Sequence, residues 1–165
     1  MSVQTTYGFS MPIGIPGGLV DLSPYAIATF LNEEDSGKMK FGFGVVSGTK
    51  PGINIALPTS ASTAAKFVGV TVDNRSTEYD LEGNINVRNG AAMGVLRYGR
   101  IYVRVGDSVE PAYGDSVYLI ISGDDAGCFT NTSGDTAVQV KGRFLGAADA
   151  TTHVAQVEFF NQSQA

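Results

Sequence analysis

"RIYVRV", residues 100–105, is the stretch on which the fold turns. Ile101, Val103 and Val105 alternate with Arg100, Tyr102 and Arg104, the two-residue period of a strand with one face in a core and the other wet or shared with a partner. The pattern recurs on both sides of it. "KMKFGFGVV" (38–46), "GINIAL" (52–57), "KFVGVTV" (66–72), "MGVLRY" (93–98), "SVYLII" (116–121), "VQVKGRFL" (138–145) and "HVAQVEFF" (153–160) all read as short strands. Between them the chain is cut by 21 Gly and 6 Pro, so few pieces reach the length of a helix. About eight short strands at this spacing predict an all-β fold, a small β-barrel or sandwich, rather than strands alternating with helices. Helical turns are expected at two places, "SPYAIATFLNEED" (23–35), opened by a Ser-Pro start signal, and "TSASTAAKF" (59–67).

The first 23 residues follow another rule. Tyr7, Phe9, Met11, Ile13 and Ile15 alternate with small or restricted residues, while Pro12, Pro16 and the glycines argue against both helix and central strand. Residues 1–23 are therefore expected to form an extended arm with apolar side chains, and residues 24–165 a single β-rich domain. In water the arm's aromatic groups have nothing to bury against, so it is expected to pack on another subunit, on another protein or on its own domain.

Composition removes several functions. Among the 165 residues, 16 acidic side chains outnumber 11 basic ones, and the net charge of -5 disfavours general attraction to nucleic-acid phosphates or anionic lipid. No stretch reaches the roughly 18 continuous apolar residues of a membrane span. "MSVQTTYGFSMPIGIPGGLV" has no basic start and is interrupted by Pro and Gly, so synthesis and retention in a host cytoplasm are expected. Cys128 is the single cysteine, so the fold must hold by packing rather than by an internal disulfide.

Catalytic groups are sparse. The tetrapeptide "GDSV" occurs twice, at 106–109 and 114–117. In each copy the Gly can take a positive φ, the Asp and Ser can bond local backbone, and the Val can start a strand, which is turn chemistry. As metal ligands, Asp107 and Asp115 would need partners, and the alternating acids and closing glutamate of a calcium loop are missing. The adjacent Asp124 and Asp125 read as a loop tip, and Glu33, Glu34 and Asp35 as a run that caps or solvates a turn. His153, the one histidine, excludes a two-histidine metal site and reads as an ordinary residue at the start of the last strand. Cys128, followed by Phe129, reads as a small buried thiol. With no nucleophile elbow, phosphate loop or dinucleotide fingerprint, neither enzyme activity nor a metal or cofactor is expected.

Interaction surfaces have more support. "RYGRIYVR" (97–104) sets Arg97, Arg100 and Arg104 near Tyr98 and Tyr102, a mixture that can stack on bases, serve a protein interface or simply form a solvated strand face. In a chain of net charge -5, contact with protein is favoured over single-stranded nucleic acid.

The run "MPIGIPGGLVDLSPYAIATFLNEEDSGKMKFGFGVVSGTKPGINIALP" (11–58), then "FVGVTV" (67–72), "VLRYGRIYVRV" (95–105), "GDSVYL" (114–119) and "KGRFLGAADATTHVAQVEF" (141–159) resembles the bacteriophage head decoration proteins called structural cement proteins. The likeness spans nearly the whole chain in order. It implies a compact β-barrel-like or β-tulip domain, often trimeric, that adds to the outer surface of an expanded phage head and clamps neighbouring major capsid subunits. An extended N-terminal segment commonly lies on the capsid in that family. Carried here, Tyr7, Phe9, Met11, Pro12, Ile13 and Ile15 of the arm, with Arg100, Tyr102 and Arg104, become candidate contacts to the major capsid protein or to a second copy. No catalytic residue, cofactor, nucleic acid, membrane or small-molecule substrate comes with the resemblance. Two rivals stand beside it. A receptor- or carbohydrate-binding β-module of a phage tail would want aromatic platforms around a pocket; the lack of Trp weakens it, while 7 Tyr leave it open. A small hydrolase using Asp or Ser would need His153 or Asp115 to matter for an activity.

Overall fold

The computed structural model describes residues 14–74, 78–79 and 85–160. Among them the only helical element is a short 3-10 turn, Ala64–Lys66; the rest of the regular structure is β. The strands are β1 (Ala26–Asn32), β2 (Gly44–Ser47), β3 (Asn54–Ala56), β4 (Phe67–Thr71), β5 (Glu78–Tyr79), β6 (Ile85–Asn86), β7 (Ala92–Arg104), β8 (Ser116–Ile120), β9 (Phe129–Thr130), β10 (Ala137–Phe144) and β11 (Val154–Phe159). One sheet runs in the order β1-β3-β2-β4-β7-β11-β10-β8-β9, and β5 pairs with β6 apart from it. Because β7 also pairs with β1, the first five strands of that order close into a barrel. The expected all-β barrel is thus what the chain forms.

Two cores lie back to back. Inside the barrel Phe30, Val45, Ile55, Met93 and Val95 meet, with Met39, Phe41 and Val87 completing the cluster. The second core lies between the barrel's outer wall, carried by Val46, Phe67, Val70 and Leu96, and the remaining strands, which supply Ile101, Leu119, Phe129, Phe144, Val157 and Phe159. Phe67, Phe129 and Phe159 pack edge-on or tilted with centroids 5.5 to 6.3 Å apart, the geometry aromatic rings favour. The outer strands curl until Phe129 of β9 bridges Val105, just past the end of β7.

β7 belongs to both units. Its sequence reads as two strands, 93–98 and 100–105, but it is one strand of 13 residues. Gly99 carries a φ of 124°, and the pairing with β1 slips between Ala26 and Ile27, so the strand passes a bulge without ending. Before the bulge Val95 faces the barrel and Leu96 the second core; after it Ile101 and Val103 face the second core. A side chain at Gly99 would meet a disfavoured φ and a Cβ contact of 2.8 Å with Tyr25.

Several expectations need correcting. Residues 23–35 do not form a helical turn; they supply β1. Phe30 and Asn32 are buried while Thr29 and Leu31 are exposed, a period of two, and β7 on one side and β3 on the other fix the backbone as extended. Of 59–67 only Ala64–Lys66 is helical. Residues 38–43 are not strand: Met39 and Phe41 enter the barrel core from a loop, and the strand starts at Gly44. β5, β6 and β9 were not foreseen, because two residues are too few to show an alternation.

Candidate functional site

Tyr7, Phe9, Met11, Pro12 and Ile13 lie outside the described residues. At Gly14 the chain already lies against the Tyr102 ring. Past Gly99, one edge of β7 pairs with β11, from Gly99 with Phe159 to Arg104 with Val154. Its other edge, which β1 leaves after Tyr98, is taken by the stretch from Gly17 to Val20. The Gly17 N–H donates to the Tyr102 carbonyl (2.8 Å), the Tyr102 N–H to the Gly18 carbonyl (2.9 Å) and the Val20 N–H to the Arg100 carbonyl (3.2 Å). Leu19 bridges Ile101 and packs on the second core, and the Asp73 N–H donates to the Gly17 carbonyl (2.9 Å). Gly17–Val20, the root of the expected arm, is in effect one more strand.

Its fit depends on small residues. The Tyr102 ring lies over Gly14, where a Cβ would overlap the ring, and over Gly18. The Tyr102 hydroxyl accepts from Gln156 Nε2 at 3.4 Å.

A row of charge crosses the same outer face. Arg143 Nη2 lies 2.7 Å from Glu158 Oε2, Arg100 Nε 3.0 Å from Glu158 Oε1, and Arg100 Nη1 2.9 Å from Asp21 Oδ2. Asp21 sits below the ordinary aspartate range, chiefly through hydrogen bonds from the Ser23 hydroxyl and backbone, with Arg100 adding to them. Burial pushes Glu158 up, but the hydrogen bonds from Arg100 and Arg143 outweigh it and leave it below its ordinary value. Arg100 is raised in turn, first by Glu158 and then by Asp21. Arg104 differs from its neighbours: it is half-buried, its Nε donates to the Phe41 carbonyl at 3.0 Å, and burial lowers its pKa. Of the nine candidate contact residues, Arg100, Tyr102 and Arg104 thus all have partners within the chain, and Ile15 stands exposed at the arm's root.

The loops at the far end of β7 hold a further set of titratable groups. The first "GDSV" departs from the expected turn: the positive φ falls on Ser108 (62°) rather than on Gly106, and Val109 stays in a loop. The second matches it, with Gly114 at φ 91° and Val117 inside β8. Asp115 Oδ2 accepts from the Ala112 N–H (2.9 Å) and Asn131 Nδ2 (2.8 Å), and these bonds hold its pKa low. His153 lies just before β11 rather than within it, at φ 52°, its Nδ1 3.9 Å from Asp107 Oδ1. The buried Cys128 thiol is pushed up to about 11, mainly by burial and then by Asp125, so it is protonated at neutral pH and a poor nucleophile. Asp107, Asp124 and Asp125 line a cleft of about 570 Å³ with serine and threonine hydroxyls and no aromatic side chain, so it lacks the platform a sugar would stack on. Among the described residues no group of His, Cys, Asp or Glu could hold a metal ion.

Sequence reading missed the pairing of Gly17–Val20 with β7 and the place of Asp21 in the charge row.

Residues 3–159 match the family model described as "Structural cement protein (E217 gp24/Pam3 gp6)". Among solved structures the fold is similar to a chain in "The capsid of Myoviridae Phage XM1", with a TM-score of 0.71 and 20% identity, covering 96% of this chain and 97% of that one. No curated protein matches the chain.

Proposed function

The chain belongs to the structural cement protein family and is a structural component of a phage capsid, and from that premise we propose that it sits on the outer surface of the head and clamps neighbouring major capsid subunits. The arm, from Tyr7 through Ile15, is the grip. The observation that carries this reading is the root: the segment that must bear any pull on the arm is held in the sheet by backbone hydrogen bonds to β7 and to Asp73. Each such bond contributes about 0.5–1.5 kcal/mol. Tension on the arm therefore reaches β7, the strand common to both cores, rather than a loose linker.

If the arm adds a strand to the edge of a capsid sheet, its backbone supplies affinity while Tyr7, Phe9, Met11 and Ile13 fill pockets on alternate sides. A single arm of this size binds weakly. A homotrimer would engage several subunits at once, and such linkage strengthens binding by roughly 100- to 10,000-fold in favourable geometry. Bridging two capsid subunits resists their separation by packaged DNA without any bond-making step. The role calls for no cofactor and no catalytic residue.

The test uses expanded heads that lack decoration. Full-length protein should sediment with them, saturate in a simple ratio to major capsid subunits, and raise the temperature at which the heads release DNA. Failure to sediment with the heads at any concentration would overturn the reading.

A further inference from the structure

The chain contains a single Asn–Gly pair, Asn89–Gly90, in the turn that leads into β7, and both residues are exposed. Asparagine followed by glycine is chemically labile, because glycine has no side chain to shield its own backbone nitrogen. That nitrogen attacks the asparagine Cγ. The bond from Gly90 N to Cγ forms, the bond from Cγ to Nδ2 breaks, and Nδ2 leaves as ammonia with the proton that the Gly90 nitrogen gives up. Water then opens the cyclic imide at either carbonyl, leaving aspartate or its β-linked isomer. The balance is water consumed and ammonia released, with no change of oxidation state.

The fold holds both reacting nitrogens. The Gly90 N–H donates to the Asn32 carbonyl (2.7 Å), and Asn89 Nδ2 donates to the Glu33 carbonyl (2.7 Å). Attack requires the first bond to break and the side-chain amide to leave the second. The groups that hold them are fixed in turn. Asn32 ends β1 and is 1% exposed. Its Nδ2 donates to the Arg88 carbonyl (3.0 Å) and the Glu34 carbonyl (3.2 Å), its Oδ1 accepts from the Glu34 N–H (3.0 Å), and its own N–H donates to the Ala91 carbonyl (2.9 Å). The Glu33 N–H donates to the Ile55 carbonyl (3.0 Å). The Ala91 N–H closes the turn on the Arg88 carbonyl (3.2 Å), with Gly90 at φ 78°. One buried asparagine thus ties the turn to the barrel on both sides of the labile pair.

We propose that Asn89 is a deamidation site that the barrel keeps shut, with the Asn32 and Glu33 carbonyls as its guard, and that reaction there waits on local opening of residues 88–91. The inference goes beyond the cement reading and does not depend on it. Opening followed by reaction is not reversed. Aspartate at this position sets an oxygen against the Glu33 carbonyl where a donor stood, and its charge is added beside Glu33, Glu34 and Asp35. A turn that has reacted therefore loses the bond that held it closed. A capsid component is not made afresh after assembly, so the frequency of this opening sets how long that end of the barrel keeps its original chemistry.

The experiment incubates the full-length protein at mildly alkaline pH, folded and in guanidinium chloride, and follows each asparagine by peptide mass spectrometry. In denaturant Asn89 should convert before every other asparagine. In the folded protein its conversion should be about tenfold slower or more, in proportion to the rarity of the open turn. Equal rates in the two conditions, or another asparagine reacting first in denaturant, would overturn the proposal. Asn32→Asp keeps the shape of the buried side chain but removes the amide protons held by Arg88 and Glu34, and should speed conversion of Asn89 in the folded protein about threefold or more. Asn89→Asp copies one product, and its Gly90 amide should exchange with solvent about fivefold faster or more than in wild type. A folded Asn32→Asp variant with the wild-type rate, or a Gly90 amide unchanged in Asn89→Asp, would show that these bonds are not the guard. Should Asn32→Asp fail to fold, the folded-to-denatured ratio and the Gly90 amide of Asn89→Asp decide.

Discussion

The two halves of β7 run in one strand yet are held in different ways. From Ala92 to Tyr98 the strand is a stave of a closed barrel, paired along β1 and packed on two cores. From Arg100 to Arg104 one edge is paired to β11, and the other is covered by Gly17–Val20 and, at Arg104, by the loop before β2, whose Gly42 carbonyl accepts from the Arg104 N–H (3.0 Å). Burial dominates stability while exposed ion pairs contribute little. Both halves are packed on buried cores, so the contrast lies in the edge: the first half is locked into a closed barrel, and on the proposed reading the second carries the segment through which the arm is loaded.

The largest break in that contrast should come from the shared core. Phe129→Ala removes a fully buried ring from the Phe67 and Phe159 cluster and should cost about 3–5 kcal/mol, read as a lowered denaturation midpoint. Both units should unfold in one transition; separate transitions would show that β7 does not couple them.

Gly99→Val strikes the junction itself. Strain at a positive φ of this kind is of order 1–3 kcal/mol, and the contact with Tyr25 adds to it. Calorimetry should show a smaller loss than Phe129→Ala.

Gly14→Val should separate the halves cleanly. The new side chain overlaps the Tyr102 ring, so the root should lift while the barrel persists. Hydrogen exchange should speed up at the Gly17, Val20 and Tyr102 amides and remain slow at Thr71.

Acid should give the mildest version of the same effect. Asp21 and Glu158 have folded pKa values below their ordinary ones, so their contribution is present above the usual carboxylate range of about 4 and is lost as pH falls through the lower folded values. Amides of the root should exchange faster below that range, before those of the barrel, and Asp21→Asn should flatten the dependence. Equal loosening of both regions would contradict the contrast.

Much of this was legible in the residues, and the failures have physical causes. The alternation in "RIYVRV" exposed β7 because one face is buried and the other wet, and the glycines and prolines marked the turns. β1 was misread because Ser-Pro and alanines favour a helix locally, whereas the open edge of β7 decides otherwise. Gly99 read as a break because a bulge and a strand end look alike in sequence. At the site, the cluster from Arg97 to Arg104 was legible, while the arm residues from Tyr7 to Ile13 lie outside the described residues. What sequence could not show was which of those side chains the fold itself uses: Arg104 and Tyr102 point to partners within the chain, and Arg100 joins Asp21 and Glu158 in the charge row.

The most direct test of the account is head binding by a chain lacking residues 2–13, a cut that ends before Gly14 and spares the strand-like root. With the arm as the grip, the melting temperature stays unchanged while most head occupancy is lost at concentrations that saturate the heads with full-length protein. Occupancy equal to full length would show that the arm is not the grip.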